Sequence, residues 1–106
     1  MNILFLDDDL NRCKKFKSNF PIAVITHTAV DCINELKNNP DIVFLDHDLE
    51  GVFCNSEDKN TGMEVVRFLC KNKVDVKIVV HSMNYLAYPI MIEKLKNYGY
   101  ELSSYI

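Results

Sequence analysis

Ile42-Val43-Phe44-Leu45-Asp46-His47-Asp48 is the stretch on which the fold of this chain turns. Four consecutive apolar residues without alternation fit a strand buried on both faces. Such strands belong to parallel sheets sandwiched between helices. Two further runs have the same form. Ile3-Leu4-Phe5-Leu6 leads into Asp7-Asp8-Asp9, and Ile78-Val79-Val80 leads into His81-Ser82, with Asn84 just beyond. In an open α/β sheet, ligands bind outside the carboxyl ends of the strands. Three separate segments therefore deliver carboxylates, imidazoles and a hydroxyl to one sheet edge.

Working outward, the first run sets β1 at Asn2–Leu6. Helix α1 follows from Asp8 or Asp9 to Ser18, with Leu10, Cys13, Phe16 and Phe20 as its apolar side and Pro21 as its stop. Strand β2 is Ile22–Ile25. Thr28 opens α2, with Asp31 as its capping-box partner and Val30, Cys32, Ile33 and Leu36 facing inward. Asn38-Asn39-Pro40 ends it, and β3 is Asp41–Leu45. A long loop covers His47–Asn60. Thr61-Gly62-Met63-Glu64 reads as a second capping box, opening α3 with Val65, Val66, Phe68, Leu69 and Cys70 on its apolar side. Strand β4 is Val76–Val80. Helix α4 runs from Tyr85 to Tyr98, with Pro89 in its first turn, Ile90, Met91, Ile92, Leu95 and Tyr98 inward, and Gly99 as its stop. Strand β5 is Tyr100–Tyr105.

This alternation demands a parallel sheet with right-handed crossovers. The expected fold is a flavodoxin-like, doubly wound α/β sheet of five strands in the order 2-1-3-4-5, with no fifth helix. Helix α1 would then cover one face alone. A homodimer is expected to bury the apolar surface left beside α1 and β5.

With 106 residues the chain makes one domain, spanning residues 1–106. A net charge of −3 argues against a nucleic-acid coat or an anionic membrane as partner. No apolar stretch reaches the length of a membrane span. Cys13, Cys32, Cys54 and Cys70 form no C-x-x-C pair, which removes zinc-ribbon and thioredoxin readings. Four reduced thiols and no signal peptide give a cytoplasmic expectation.

The chemistry follows from the strand ends. Asp7, Asp8 and Asp46 repel one another unless a cation neutralises them, and oxygen ligands suit Mg²⁺ or Mn²⁺. Asp48 either joins the metal or orients a histidine from behind. For the Asp7-Asp8-Asp9 run the alternative is that Asp8 or Asp9 merely caps α1, and Asp9, in the helix's first turn, is the weakest ligand candidate. His47 and His81 are placed for acid–base work. Ser82 would hold a phosphate oxygen with the backbone N–H groups near the start of α4. Asn84 either joins it or caps that helix. Arg12 would reach a phosphate from the side or lie solvated. His27, after β2, is assigned no role. No Ser-His-Asp order, P-loop or G-x-G-x-x-G is present.

These residues resemble the receiver domain of two-component signalling. Asp7-Asp8 match its metal-binding pair, Asp46 its phosphoacceptor, and Thr61-Gly62 the D-G step before its third helix. Two departures stand out. His81 replaces the small hydroxyl residue after β4, although Ser82 follows, and no lysine lies between Tyr100 and Ile106. The chain is more similar to a divergent branch, the cyclic-phosphate processing receiver-like domains. The matching segments are Phe5-Leu6-Asp7-Asp8-Asp9 with Arg12, Leu45-Asp46-His47-Asp48-Leu49, Thr61-Gly62, and His81-Ser82 with Asn84. Ala87 stands where that branch often has glycine. The resemblance implies metal-dependent processing of a cyclic phosphate on an RNA end or a nucleotide. In that reading Asp7, Asp8, Asp46 and Asp48 serve the metal, His81, His47 and Asp46 the chemistry, and Ser82, Asn84 and Arg12 the phosphate. The alternatives are a receiver phosphorylated on Asp46 and a non-catalytic module that binds a nucleotide or a protein.

Overall fold

The protein is described here from a computed structural model, over residues 1–52 and 54–103. Its elements are β1 (Ile3–Leu6), α1 (Leu10–Asn19), β2 (Val24–Thr26), α2 (Ala29–Leu36), β3 (Ile42–Leu45), α3 (Gly62–Lys71), β4 (Lys77–Val80) and α4 (Ala87–Asn97). The strands are parallel and lie in the order β2-β1-β3-β4. The receiver-like α/β fold is therefore present.

The expected fifth strand is reduced to one bridge among the described residues. Leu102 pairs in parallel with Ile78, through Ile78 N–H to the Glu101 carbonyl at 3.0 Å and Ser103 N–H to the Ile78 carbonyl at 2.9 Å. The chain thus takes the fifth position beside β4, but only one residue pairs. Ser104 and Tyr105 of that expectation lie outside the described residues.

Alternation along the strands divides the core in two. Leu4, Leu6, Val43, Leu45, Ile78 and Val80 pack with α2, α3 and α4 into the larger cluster. Phe5, Phe44 and Val79 turn the other way and meet Cys13 and Phe16 of α1. Phe5 and Phe16 stack with ring centroids 4.0 Å apart, and Phe16 meets Phe44 edge-on at 4.9 Å. As expected, α1 is the only helix on this face among the described residues. The sheet surface there is less bare than anticipated: Phe5, Phe44 and Val79 are 2–4% exposed in the single chain.

The inward helix stripes are narrower than the sequence suggests. Helix α4 buries Ala87, Met91 and Leu95, an i, i+4, i+8 row, so Ile90 and Tyr98 fall outside it and are exposed. Helix α2 buries Ala29, Cys32 and Leu36, which turns Val30 to solvent. Leu10 opens α1 before the helix reaches the sheet and is 72% exposed. Helix α4 starts two residues later than expected, which puts Pro89 in its first turn.

The two capping boxes differ. Thr28 caps α2, its Oγ1 accepting from Asp31 N–H at 3.2 Å. Thr61 makes no such bond; its hydroxyl donates to the Asp58 carbonyl at 2.9 Å, and Glu64 pairs with Arg67 Nε at 2.7 Å instead. The cause is crowding at the helix start. Gly62 N–H donates to the His47 carbonyl at 2.9 Å, and a Cβ on Gly62 would lie 1.8 Å from the Asp46 carbonyl oxygen. Only glycine admits this approach. Helix α3 is thereby docked directly onto the strand end that carries the acids.

Candidate metal and phosphate site

Strands β1 and β3 pair with Leu6 opposite Leu45, so Asp7 and Asp46 leave the sheet side by side. Asp8 joins them: one ligand oxygen from each of Asp7, Asp8 and Asp46 lies within 4.8 Å of the others. Asp9 does not. It caps α1, its Oδ1 accepting from Asn11 N–H at 2.9 Å and Arg12 N–H at 3.0 Å. Asp8 Oδ2 accepts from Gly51 N–H at 2.6 Å and ties the long loop to the acid centre.

Arg12 is bound into the same centre. Its Nε and Nη2 grip the two Asp7 oxygens at 2.7 and 3.0 Å, and Nη2 stands 3.7 Å from Asp46 Oδ2. Burial works against an Asp7 anion, but Arg12, the Asp9 N–H and His81 outweigh it and hold its carboxyl below the usual range. The same pairing keeps Arg12 charged.

Asp46 fares differently. Burial, reinforced by the negative charge of Asp7, pushes its pKa up to about 7, although His47 N–H donates to its Oδ1 at 2.8 Å. A buried carboxylate that resists ionisation beside two other acids is a site that a cation would relieve. The oxygen-only donor set fits a hard divalent ion.

His81 stacks on Phe5 with centroids 5.0 Å apart and its Nε2 donates to the Leu6 carbonyl at 3.2 Å. That bond leaves the Nδ1 lone pair on the acid side, 3.8 Å from Asp7 Oδ2. Burial lowers the His81 pKa against the pull of Asp7, so the neutral ring is favoured.

Asp48 stands outside the group of three acids, although it lines a hollow beside them. Its Oδ1 receives His47 Nδ1–H at 2.8 Å, Cys54 N–H at 3.0 Å and Asn84 Nδ2–H at 3.1 Å. Burial disfavours its charge, but these three donors prevail and its pKa is lowered. His47 is fully buried behind it. Asn84 is 1% exposed, and its Oδ1 accepts from Leu86 N–H at 3.1 Å and Ala87 N–H at 3.0 Å, which caps the approach to α4. Ser82 Oγ accepts from Asn84 N–H at 3.0 Å.

The structure thus gathers Asp7, Asp8 and Asp46, with Arg12 bound to Asp7 and His81 Nδ1 3.8 Å from Asp7 Oδ2. It places His47, Asp48 and Asn84 in a neighbouring buried network. A hollow of about 640 Å³ beside the acids is lined by Asp8, Arg12, Asp46, Asp48, Leu10 and Met83. A somewhat larger one, about 700 Å³, lies at the opposite end of the strands among Lys73, Asp75, Lys77 and Glu101, charges of both signs, with Lys77 Nζ 3.7 Å from Glu101 Oε2.

Two contributors, His27 and Ser56, were not marked by the sequence, and Gly62, marked there within Thr61-Gly62, gains a specific role. His27 Nδ1 lies 3.0 Å from the Asp7 carbonyl and buttresses the acid-bearing turn. Gly62 sets the approach of α3. Ser56 Oγ lies 3.0 Å from His47 Nε2. Nothing in the sequence singled out Ser56.

Over residues 2–97 the sequence matches the cyclic-phosphate processing receiver domain, and the chain belongs to that family. No curated protein matches it significantly. Among solved structures it is similar to the BeF3-activated N-terminal receiver domain of RstA from Klebsiella pneumoniae, at 18% identity and a TM-score of 0.64, covering 96% of this chain and 85% of that one. It is also similar to the receiver domain of the Francisella response regulator 1452, at 17% identity and a TM-score of 0.65, covering 97% and 82%. At such identities the likeness is one of fold.

Proposed function

We propose that this domain is a Mg²⁺- or Mn²⁺-dependent phosphoesterase that opens a cyclic phosphate on an RNA end or a nucleotide. One observation carries the reading. Asp46 is a buried carboxylate pushed up to about 7 by burial and Asp7, in an acid centre open to a hollow of about 640 Å³. The family description supports the substrate class.

Asp7, Asp8 and Asp46 would hold the metal, which when bound polarises the phosphoryl oxygens. Arg12, half exposed and anchored at the rim, binds and orients a phosphate oxygen. His81 Nδ1 accepts the proton of the attacking water. As the water oxygen bonds to phosphorus and one ring P–O bond breaks, His81 returns that proton to the leaving oxygen. Ser82, beside this histidine, contributes its hydroxyl to the phosphate. His47, Asp48 and Asn84 act from behind, fixing the strand end that carries Asp46.

The test is ³¹P NMR of a nucleoside 2′,3′-cyclic phosphate with the protein and Mg²⁺. Conversion to a monoester by the wild type, absent in Asp46→Ala and in His81→Gln, is the expected result. An unchanged cyclic signal for the wild type counts against the reading.

A second reading is favoured by the position of Asp46 at the end of β3 in a receiver fold: it accepts a phosphoryl group itself. Incubation with acetyl phosphate separates the two, because only the second adds one phosphoryl mass to the wild type and none to Asp46→Asn.

A further inference from the structure

Asp48, His47 and Ser56 stand in line. Asp48 Oδ1 is 2.8 Å from His47 Nδ1, and His47 Nε2 is 3.0 Å from Ser56 Oγ. The surrounding bonds fix the direction of this chain. Asn84 Oδ1 is committed to two backbone N–H groups, so its Nδ2 must be the end that faces Asp48 and His47. A carboxylate oxygen accepts only, so the short contact requires a proton on His47 Nδ1. The 3.2 Å approach of Asn84 Nδ2 to that same nitrogen is then a contact between two donors, both serving Asp48. With Nδ1 so committed, Nε2 is the nitrogen that meets the serine hydroxyl. Acid, imidazole and hydroxyl in this order are the parts of an activated nucleophile.

The frame is rigid where this requires it. His47 is 0% exposed, whereas Ser56 is partly open to solvent. Arg67 clamps the loop from outside, its Nη1 donating to the Ser56 carbonyl at 2.7 Å and its Nη2 to the Asp58 carbonyl at 3.2 Å. Asn55 Oδ1 accepts from Glu57 N–H at 2.8 Å and closes the turn around Ser56. A serine needed only as a loop tether could bond to any backbone group; this one bonds to the free nitrogen of a carboxylate-oriented imidazole.

We propose that Ser56 is a nucleophilic hydroxyl, with His47 as its general base and Asp48 as the carboxylate that orients the base, acting on an electrophilic phosphoryl centre. In the step, Ser56 Oγ bonds to phosphorus, the bond from phosphorus to the leaving group breaks, and the hydroxyl proton passes to His47 Nε2. Asp48 also lines the hollow beside the acid centre, and the choice of a phosphoryl electrophile rests on the reading given to that centre; the arrangement of Ser56, His47 and Asp48 does not.

The test uses the full chain in EDTA, with an alkyl fluorophosphonate as probe, so that fluoride is the leaving group and no divalent metal takes part. Intact mass and peptide mapping are expected to show one phosphonyl group, on Ser56. Labelling is expected to vanish in Ser56→Ala and to slow about 100-fold or more in His47→Gln. Asp48→Asn, which preserves the shape of the site, is expected to slow it at least ~10-fold, with circular dichroism confirming a folded protein. No label on Ser56, or labelling at the wild-type rate in folded Asp48→Asn, overturns the proposal.

Discussion

Asp46 and Asp48 are two residues apart, leave the same strand, and behave oppositely. Asp46 faces Asp7 and Asp8, receives one backbone N–H, and is pushed up to about 7 by burial and its acidic neighbours. Asp48 faces His47, Cys54 N–H and Asn84, and is pulled down by them despite burial. The residue type is the same. The difference is first the deeper burial of Asp46, and then the count of donors against the count of like charges within reach. One carboxylate is left wanting a cation; the other is satisfied by its donors and holds the His47 ring in place. A carboxylate's role is therefore read from its partners, and neighbours in sequence need not share a site.

The contrast can be broken at its common base. Gly62→Ala puts a Cβ where the Asp46 carbonyl oxygen stands, 1.8 Å away, so α3 must retreat from the strand end that carries both acids. The expected loss is about 4 kcal/mol or more of stability, measured by urea unfolding.

Asp46 itself gives the sharpest pH signature. Its folded pKa is raised from 3.8 to about 7, so its contribution is full below about pH 4 and is lost as pH climbs through 7. Asp7 and Asp48 have lowered values and run the other way, losing their contribution only as pH falls below the ordinary carboxylate range. In metal-free buffer, Asp46→Asn is expected to be more stable than the wild type at pH 8, by on the order of 3 kcal/mol, with no such gain at pH 4. Mg²⁺ is expected to raise the Tm of the wild type and not that of the variant. Calorimetry at the two pH values checks both; equal stability at pH 8 would mean that Asp46 is not strained as an anion.

On the satisfied side, Asn84→Ala strips one donor from Asp48 and the acceptor from two N–H groups at the approach to α4. A loss of about 2–3 kcal/mol is expected, with Mg²⁺ affinity nearly unchanged, by denaturation and by titration calorimetry. Loss of metal binding in a folded variant would show that the two networks are one. The smallest effect belongs to Glu64→Ala. The glutamate forms no cap bond and pairs with Arg67 at the surface, so less than about 0.5 kcal/mol is expected.

How far the chain could be read before its structure was seen depended on whether a feature was local. Four apolar residues before Asp7 and Asp46 and three before His81 signalled β1, β3 and β4, and their shared sheet edge followed from the alternation of strand and helix. A cap at Asp8 or Asp9 and another at Thr28 were legible because caps act within one helical turn. The failed capping box at Thr61 was not, because the path of the loop, and not the four-residue pattern, brings the Asp58 carbonyl to the Thr61 hydroxyl and the His47 carbonyl to Gly62 N–H. The inward rows of α2 and α4 were read too broadly, since periodicity names every apolar residue near a face and only the sheet decides which ones reach it.

The sequence by itself determined the parallel α/β fold, the family, and the meeting of Asp7, Asp8 and Asp46. Strand ends are fixed by burial patterns, and burial patterns are written in residue order. Only the tertiary structure decided that Arg12 grips Asp7, that Asp48 turns to His47, and that Ser56 closes a line with them. These choices depend on side-chain direction and on the path of a 14-residue loop, His47–Asn60. In such a loop, ångström-scale packing selects among partners that the sequence leaves equally open.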